Sequence, residues 1–442
     1  MSEKYNVITY GCQMNEHDSE KISGMLENMN YEPVENPEEA DVVVINTCLI
    51  RENAELTVYG KVGALKKLKE ENPDMVLAVG GCMMQKDEPA ERLYQKHPQV
   101  DIIFGTHNLH RIPALIEQIK SGEEQIIEIW DEPKAPDEDT PVKRKNDFQA
   151  WVTIIKGCDN YCSYCVVPYV RGPERSRSKN KIIQEVKELA AEGVKEITLL
   201  GQNVNAYGQD LERNYSFSQL LGELTEIKFL QRIRFMTSHP RDFNEDIIKT
   251  VTKNKKLCSH YHLPVQSGSS KILERMNRGY TRNEYLELIN KIRNIDPGAS
   301  ITSDIIVGFP GETEEDFQKT LSLVRKCRFD MAFTFAYSSR PGTAAENMEK
   351  EVDSEEKKAR LHKLMEVQNK ISKEKNKQLV GEKLEVLVEG ESKKNSDNYS
   401  SRTETNKLVI VPGKPELKGK IIPVEITEAG SWTLYGKILY DN

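Results

Sequence analysis

The sequence predicts an α/β chain in three parts: a flavodoxin-like parallel α/β domain, a partial (βα)6 TIM-like barrel, and a small C-terminal β-barrel. Three observations carry this expectation. The first 120 residues or so repeat an apolar strand, a sharp turn and an amphipathic helix. Six more strand and helix pairs follow over about 190 residues, and roughly the last 60 residues switch to short strands between Gly, Pro and Asn turns.

In the first part, expected over residues 1–130, "YNVITYGC" leads into a helix opening near Asp18 and Ser19, with Ile22, Leu26 and Met29 at helical spacing. "ADVVVINTC" precedes a helix carrying Val58, Val62, Leu65 and Leu68 and stopped by Pro73. "MVLAVGGC" and "VDIIFGT" begin the third and fourth repeats, the last continuing through Ile112, Leu115, Ile116 and Ile119 to Gly122. Residues 131–147, "DEPKAPDEDTPVKRKND", are charged and Pro-rich without apolar period, and read as a linker.

The second part, 148–376, places strands at "WVTIIKG", "EITLLG", "IRFMTS", "YHLPVQ", "ITSDIIVGF" and "MAFTFAYS". Six repeats are too few for a closed eight-fold barrel and suit a partial one with chemistry at its strand ends. A helix runs from about Asn180 to Glu192 with Gly193 as its stop, and a charged helix with a thin stripe of Leu361, Leu364, Met365 and Ile371 covers about Asp353 to Leu379. The third part, 377–442, offers "KLEVLVEG", "KLVIVPG", "KIIPVEIT" and "WTLYGKIL" as barrel strands.

A chain of 442 residues exceeds one core at about 150 residues per domain. The start lacks a basic region followed by an apolar run, and no apolar stretch approaches the roughly 18 residues that span a membrane, so a cytoplasmic location is expected. Nothing routes the eight cysteines to an oxidising compartment, and six lie in Gly-rich or CxxC-like contexts, which favours metal thiolates over disulfides. At a net charge of −8, a nucleic-acid partner would require locally positive surface.

Cys12, Cys48 and Cys82 each end one of the first three strands, 36 and then 34 residues apart. Ligands of open α/β sheets bind beyond the carboxyl ends of strands, so neighbouring repeats bring these thiols to one edge. A second trio, Cys158, Cys162 and Cys165, sits in "GCDNYCSYC" directly after the first barrel strand. Zinc wants a fourth ligand close by, and the nearest downstream histidine is His239. Three thiolates on an iron-sulfur cubane instead leave one iron open to a small molecule.

CxxxCxxC with Tyr164 before its last cysteine resembles the signature of the radical S-adenosylmethionine superfamily. There the open iron chelates S-adenosylmethionine, whose reductive cleavage yields a 5′-deoxyadenosyl radical. With the N-terminal trio, the partial barrel and a terminal barrel of the TRAM type, the whole chain resembles the methylthiotransferases. "YGCQMNEHDSE", "INTCLIRENAE", "CVVPYVRGPERSR", "LLGQNVNAYG", "SHPRDF", "HLPVQSGS" and "IVGFPGETEEDF" are similar to the branch acting on N(6)-isopentenyl (dimethylallyl) adenosine at position 37 of tRNA. The resemblance implies insertion of sulfur and a methyl group at carbon 2. It also implies two [4Fe-4S] clusters, one on Cys158, Cys162 and Cys165 that binds S-adenosylmethionine and an auxiliary one on Cys12, Cys48 and Cys82.

No side chain is assigned as a general acid or base, because that C–H is neither acidic nor electrophilic. Tyr164, Gln202 and Asn203 are candidate cofactor contacts, and Gln202 with Asn203 equally suits a loop-stabilising pair. "DIIVGFPGE" matches the superfamily's GxIxGxxE element in part, with Asp304 at its first glycine and Glu312 one position late. His260 and His262 share a strand face, while Cys258 and Cys327 read as free buried thiols. Arg171, Arg175, Arg177 and Lys179, with Lys393, Lys394, Arg402 and Lys407, are candidate RNA contacts. Expected partners are the tRNA anticodon stem-loop and a small reducing electron-transfer protein, with a monomer favoured and no membrane. Alternatives are sister enzymes acting on threonylcarbamoyladenosine or a ribosomal-protein aspartate, and a non-catalytic, metal-stabilised RNA-binding protein.

Overall fold

The computed structural model describes residues 2–49, 52–133, 140–211 and 215–439. Contacts group them into two units: Met1–Asn146 with Lys156–Asp159 and Val166–Glu174, and Asp147–Ile155 with Asn160–Cys165 and Arg175–Asn442.

In the first unit the apolar runs become β1 (Lys4–Thr9), β3 (Val42–Thr47), β4 (Val76–Gly81) and β5 (Ile102–Phe104). Two short strands that the sequence did not announce, β2 (Glu32–Pro33) and β6 (Ile126–Glu128), flank them. The sheet is wholly parallel in the order β2-β1-β3-β4-β5-β6. Alternate residues of one strand serve different cores, as the period of two requires. Val42 and Val44 pack with Ile22, Met25 and Leu26 of α1 (Gln13–Asn28) and with Ile112, Leu115 and Ile116 of α4 (Ile112–Lys120). Val43 and Ile45 pack with Val58, Val62 and Leu65 of α2 (Glu52–Glu71) and with Ala90 and Leu93 of α3 (Asp87–Lys96).

Helix α1 opens five residues before the expected Asp18, directly after Cys12. The cause is that its first turns are polar but buried, Asn15, His17, Asp18 and Glu20 among them, so the apolar period begins late. Residues 134–139 of the expected linker lie outside the described residues. Its following stretch is pinned to α1: Lys143 N–H donates to Glu20 O at 2.9 Å, and Lys145 N–H to the Glu20 carboxylate at 3.2 Å.

The second unit contains the six expected parallel strands: β7 (Gln149–Thr153), which the two-residue β8 (Ile155–Lys156) follows, then β10 (Glu196–Leu200), β11 (Arg232–Phe235), β12 (His260–His262), β13 (Ser300–Val307) and β14 (Met331–Ala336). They form two three-stranded sheets, β7-β10-β11 and β12-β13-β14, joined where Ile233 bridges Leu257. The helices between them are α6 (Lys179–Ala191), α7 (Phe217–Thr225), α8 (Glu245–Lys253), α9 (Ser270–Arg275), α10 (Arg282–Ile295) and α11 (Glu314–Cys327); β9 (Arg175–Ser176) precedes α6, and the short α5 (Val167–Arg171) groups with the first unit. Leu199, Ile233, Tyr261 and Ile301 share one core with Ile182, Leu220, Ile248, Ile289 and Leu321 from these helices.

After α12 (Ser354–Lys377), capped by Asp353, a closed barrel runs β15-β16-β17-β19-β18. Its strands are β15 (Lys383–Ser392), β16 (Asn395–Thr403), β17 (Leu408–Pro412), β18 (Ile421–Ala429) and β19 (Leu434–Ile438). The sequence supplied four of these. Strand β16, "NSDNYSSRT", escaped because its inward residues are Tyr399, Ser401 and Thr403, of which only the tyrosine contributes an apolar signal. Arg232 and Arg234 of β11 seat this barrel, donating to the carbonyls of Arg402, Glu385, Glu404 and Thr403 at 2.7–3.1 Å.

Candidate functional site

The strand order reverses between β1 and β3, since α1 covers one face of the sheet and α2 the other. That switch point opens a crevice at the carboxyl ends of the strands. Cys12 lies after β1 as the N-cap of α1, Cys48 follows β3, and Cys82 follows β4. The Cys12 N–H and thiol both meet Asn15 Oδ1, at 3.4 and 3.3 Å. Asn15 also donates to Thr47 O at 2.9 Å, and Asn46 donates to Asn15 O at 2.9 Å and to Ser19 Oγ at 3.0 Å. This network ties the Cys12 turn to the end of the strand bearing Cys48. Gly81 holds φ +98°, and a Cβ there would lie 2.5 Å from Asn46 Oδ1, so the turn into Cys82 requires glycine.

One buried cation faces these thiols. Arg171, at the end of α5, pairs with Asp18 of α1 at 2.8 Å, both side chains being buried. Burial opposes the guanidinium charge, but Asp18, Cys82 and Cys12 outweigh it and hold Arg171 protonated. Burial pushes the Cys82 thiol up to about 11, Arg171 pulls against it, and Cys48 and Cys12 add to the rise. Cys82 thus lies within electrostatic reach of both other thiols. Among the described residues no three His, Cys, Asp or Glu donors close around a single ion. Three thiols are the donor type an iron-sulfur cubane takes, and they fall one short of the four ligands of a structural zinc.

In the second unit, Cys165 N–H donates to Cys162 O at 2.9 Å, a tight turn that holds these two cysteines together. Ser163 anchors the turn through its N–H to Met276 O at 3.0 Å and its hydroxyl to Arg275 O at 2.8 Å. Tyr164 packs edge-on against Phe309 at 6.5 Å, within a cluster of Ile272, Met276 and Tyr337. Cys158, four positions upstream, groups with the first unit, its N–H bonded to Gly172 O at 3.1 Å. The buried Arg278 donates to Cys162 Sγ at 3.2 Å and Pro264 O at 2.7 Å, and approaches the Tyr164 and Tyr280 hydroxyls at 3.5 and 3.0 Å. Neither arginine was singled out in sequence for this role, since each partner set is assembled from distant segments.

Strand alternation turns the polar set of the partial barrel inward. His260 Nε2 and His262 Nδ1 both lie 3.0 Å from Thr302 Oγ1, and His262 Nε2 is 3.5 Å from Asp304 Oδ1. Burial, with Arg234 and His262, drives His260 well below the usual histidine range, so it is neutral. Phe333 meets His262 edge-on at 6.2 Å, and it and Phe335 remain 41% and 50% exposed on this face. Beyond the strand ends, Ser238 Oγ, His239 Nε2 and Gln266 Oε1 are buried without a hydrogen-bond partner among the described residues. Burial, with Arg278 and Arg241, lowers His239 to about 2. Orphaned polar atoms at this face suit a polar ligand.

Other candidates are committed to the protein. Asn203 Oδ1 accepts from His239 N–H at 3.2 Å and its amide reaches Asp242 at 3.4 Å, while Gln202 is half-buried beside it. Glu312 accepts from Gly308 N–H at 2.8 Å and pairs with Arg360 at 2.7 Å, which locks it away from solvent. Cys258 and Cys327 are free and buried. The expected basic cluster is largely neutralised: Arg171 by Asp18, Arg177 by Glu185 at 2.8 Å, and Lys179 by Glu223 at 3.1 Å. Arg402 and Lys407 likewise pair with Glu389 and Asp330, because charges spaced along a strand find partners that sequence proximity does not reveal.

Three family models match the chain: the uncharacterized protein family UPF0004 over residues 4–105, the radical SAM superfamily over 152–324 and the TRAM domain over 377–439. The fold is similar to the solved radical S-adenosylmethionine methyltransferase TsrM from Kitasatospora setae, with a TM-score of 0.57 at 14% identity, covering 78% of this chain and 77% of that one. The tRNA-2-methylthio-N(6)-dimethylallyladenosine synthase of Natranaerobius thermophilus is 53% identical over 439 residues, 99% of this chain and 97% of that protein. That of Carboxydothermus hydrogenoformans is 52% identical over 440 residues, 99% of this chain and all of that protein. At this identity over nearly its full length, the chain belongs to the family of tRNA-2-methylthio-N(6)-dimethylallyladenosine synthases.

Proposed function

We propose that the chain is a radical S-adenosylmethionine methylthiotransferase with two clusters, converting N(6)-isopentenyl (dimethylallyl) adenosine at position 37 of tRNA to its 2-methylthio derivative. The observation that carries this reading is the gathering of Cys12, Cys48 and Cys82 at one switch point, in addition to the Cys158–Cys165 motif. Cys158, Cys162 and Cys165 would hold the [4Fe-4S] cluster that binds S-adenosylmethionine, and Cys12, Cys48 and Cys82 an auxiliary one. When bound, the first with S-adenosylmethionine would supply a hydrogen-abstracting radical, and the second would hold the sulfur to be transferred.

The chain's own residues bind, orient and shield. The Ser163 anchors fix the cysteine turn, and Arg278 steadies Cys162. Neutral His260 and His239 offer hydrogen bonds without inviting proton transfer. The exposed Phe333 and Phe335 present apolar surface to the isopentenyl group, and about 0.8 kcal/mol per buried methylene favours its capture. Tyr164, Gln202 and Asn203 stay candidates for supporting contacts, and no side chain is assigned as an acid or base.

Domains over 1–130, 148–376 and 377–442 with a linker at 131–147, a small reducing electron-transfer partner, a monomeric state and a cytoplasmic location complete the proposal. Among the described residues no helix is long and apolar enough to cross a membrane. Mass spectrometry of tRNA nucleosides from a strain lacking the gene tests it: methylthio-isopentenyladenosine disappears and its isopentenyl precursor accumulates. Persistence of the methylthio nucleoside contradicts the assignment.

A further inference from the structure

A buried arginine needs an anion, and Arg278 has no carboxylate to meet that need. It is 4% exposed, and every partner it has is formally neutral or a thiol: Pro264 O, the Tyr164 and Tyr280 hydroxyls, and Cys162 Sγ. Among the described residues no Asp or Glu lies within ion-pair distance of it, whereas the buried Arg171, Arg234 and Arg360 pair with Asp18, Glu196 and Glu312. Taking an unpaired guanidinium out of water is strongly unfavourable, so the fold retains this charge only if the site itself becomes negative. Arginine cannot escape by deprotonation.

Three thiolates around a cubane dication leave one formal negative charge, which Arg278 balances. We infer that Arg278 is the charge partner of the cluster held by Cys158, Cys162 and Cys165, a positioning residue that anchors Cys162 and raises that cluster's reduction potential. The inference rests on the reading of these cysteines as cluster ligands. Reduction takes one electron from the external reductant and no proton, so the cluster gains a second negative charge. A fixed cation 3.2 Å from a ligand sulfur stabilises the reduced form more than the oxidised one.

The test uses the full chain with Cys12, Cys48 and Cys82 changed to Ala, so that any cluster formed reports on the other trio. After anaerobic reconstitution, an EPR-monitored redox titration compares Arg278 with Arg278→Lys, which keeps a charge, and Arg278→Met, of similar length without one. Arg278→Met is expected to lower the ratio of reduced to oxidised cluster at fixed potential about tenfold or more, a shift of about 59 mV for a one-electron couple. Arg278→Lys should stay near the parent, as should Tyr280→Phe, which removes only a neutral contact. If Arg278→Met binds no iron while Arg278→Lys does, the charge requirement is equally supported. An unchanged potential in Arg278→Met, or equal loss of iron from both variants, overturns the inference. Absence of a cluster in the Arg278 parent overturns the underlying reading instead.

Discussion

Two buried arginines in this chain lie beside cysteine thiols, Arg171 in the first unit and Arg278 in the second, yet their charges are balanced in opposite ways. Next to Cys12, Cys48 and Cys82, Arg171 is already neutralised by Asp18 at 2.8 Å. Next to Cys162, Arg278 has only neutral groups and that thiol. The first arginine has its carboxylate within the protein, and the second would be balanced by the anionic cluster proposed above. That difference suits a pair of sites of which one holds material for transfer and the other must accept an electron.

The comparison is most severely strained by removing the acid that completes the first site. Asp18→Ala removes the carboxylate paired with the buried Arg171, and about 3–5 kcal/mol of stability should be lost. Asp18→Ala combined with Arg171→Met should recover much of it, as denaturant unfolding of the metal-free chain would read. If Asp18→Ala costs no more than an exposed pair, about 0–1 kcal/mol, the pre-neutralised site is refuted.

A smaller effect sharpens the same contrast through thiol chemistry. The Cys82 pKa, pushed up to about 11 by burial, exceeds the unfolded value near 8.5. A raised thiol pKa means that its contribution to stability is intact below about 8.5 and is lost as pH rises through about 11. In the metal-free chain at pH 8, Cys82 should therefore alkylate far more slowly than the exposed Cys12, with its rate climbing steadily with pH. Equal labelling of the two at pH 8, followed by peptide mass spectrometry, would show that the crevice does not bury Cys82.

Much of this was legible in sequence wherever burial follows a simple period. Val42 to Ile45 alternate between two cores, and the six barrel strands announce themselves by apolar runs. The placement of Cys12, Cys48 and Cys82 at one end of the sheet was legible because each follows a parallel strand. What stayed hidden is polar and buried. The start of α1 carries Asn15, His17 and Asp18 inward, and β16 turns Ser401 and Thr403 into its barrel, so neither shows the apolar signal that marks a core. Arg278 lies 116 residues from Cys162, and Arg171 is far from Asp18 in sequence, so no local pattern pairs them. The basic cluster misled for the converse reason: its carboxylate partners come from elsewhere in the fold.

The division of labour between the two trios is tested most directly by incubating the reconstituted chain with S-adenosylmethionine, a strong reductant and an anticodon stem-loop bearing isopentenyladenosine. Deoxyadenosine and the methylthio nucleoside are then quantified together by mass spectrometry. With Cys12, Cys48 and Cys82 changed to Ala, cleavage of S-adenosylmethionine should persist while the methylthio product vanishes; with Cys158, Cys162 and Cys165 changed, both should vanish. Methylthio product from the first variant would contradict the account.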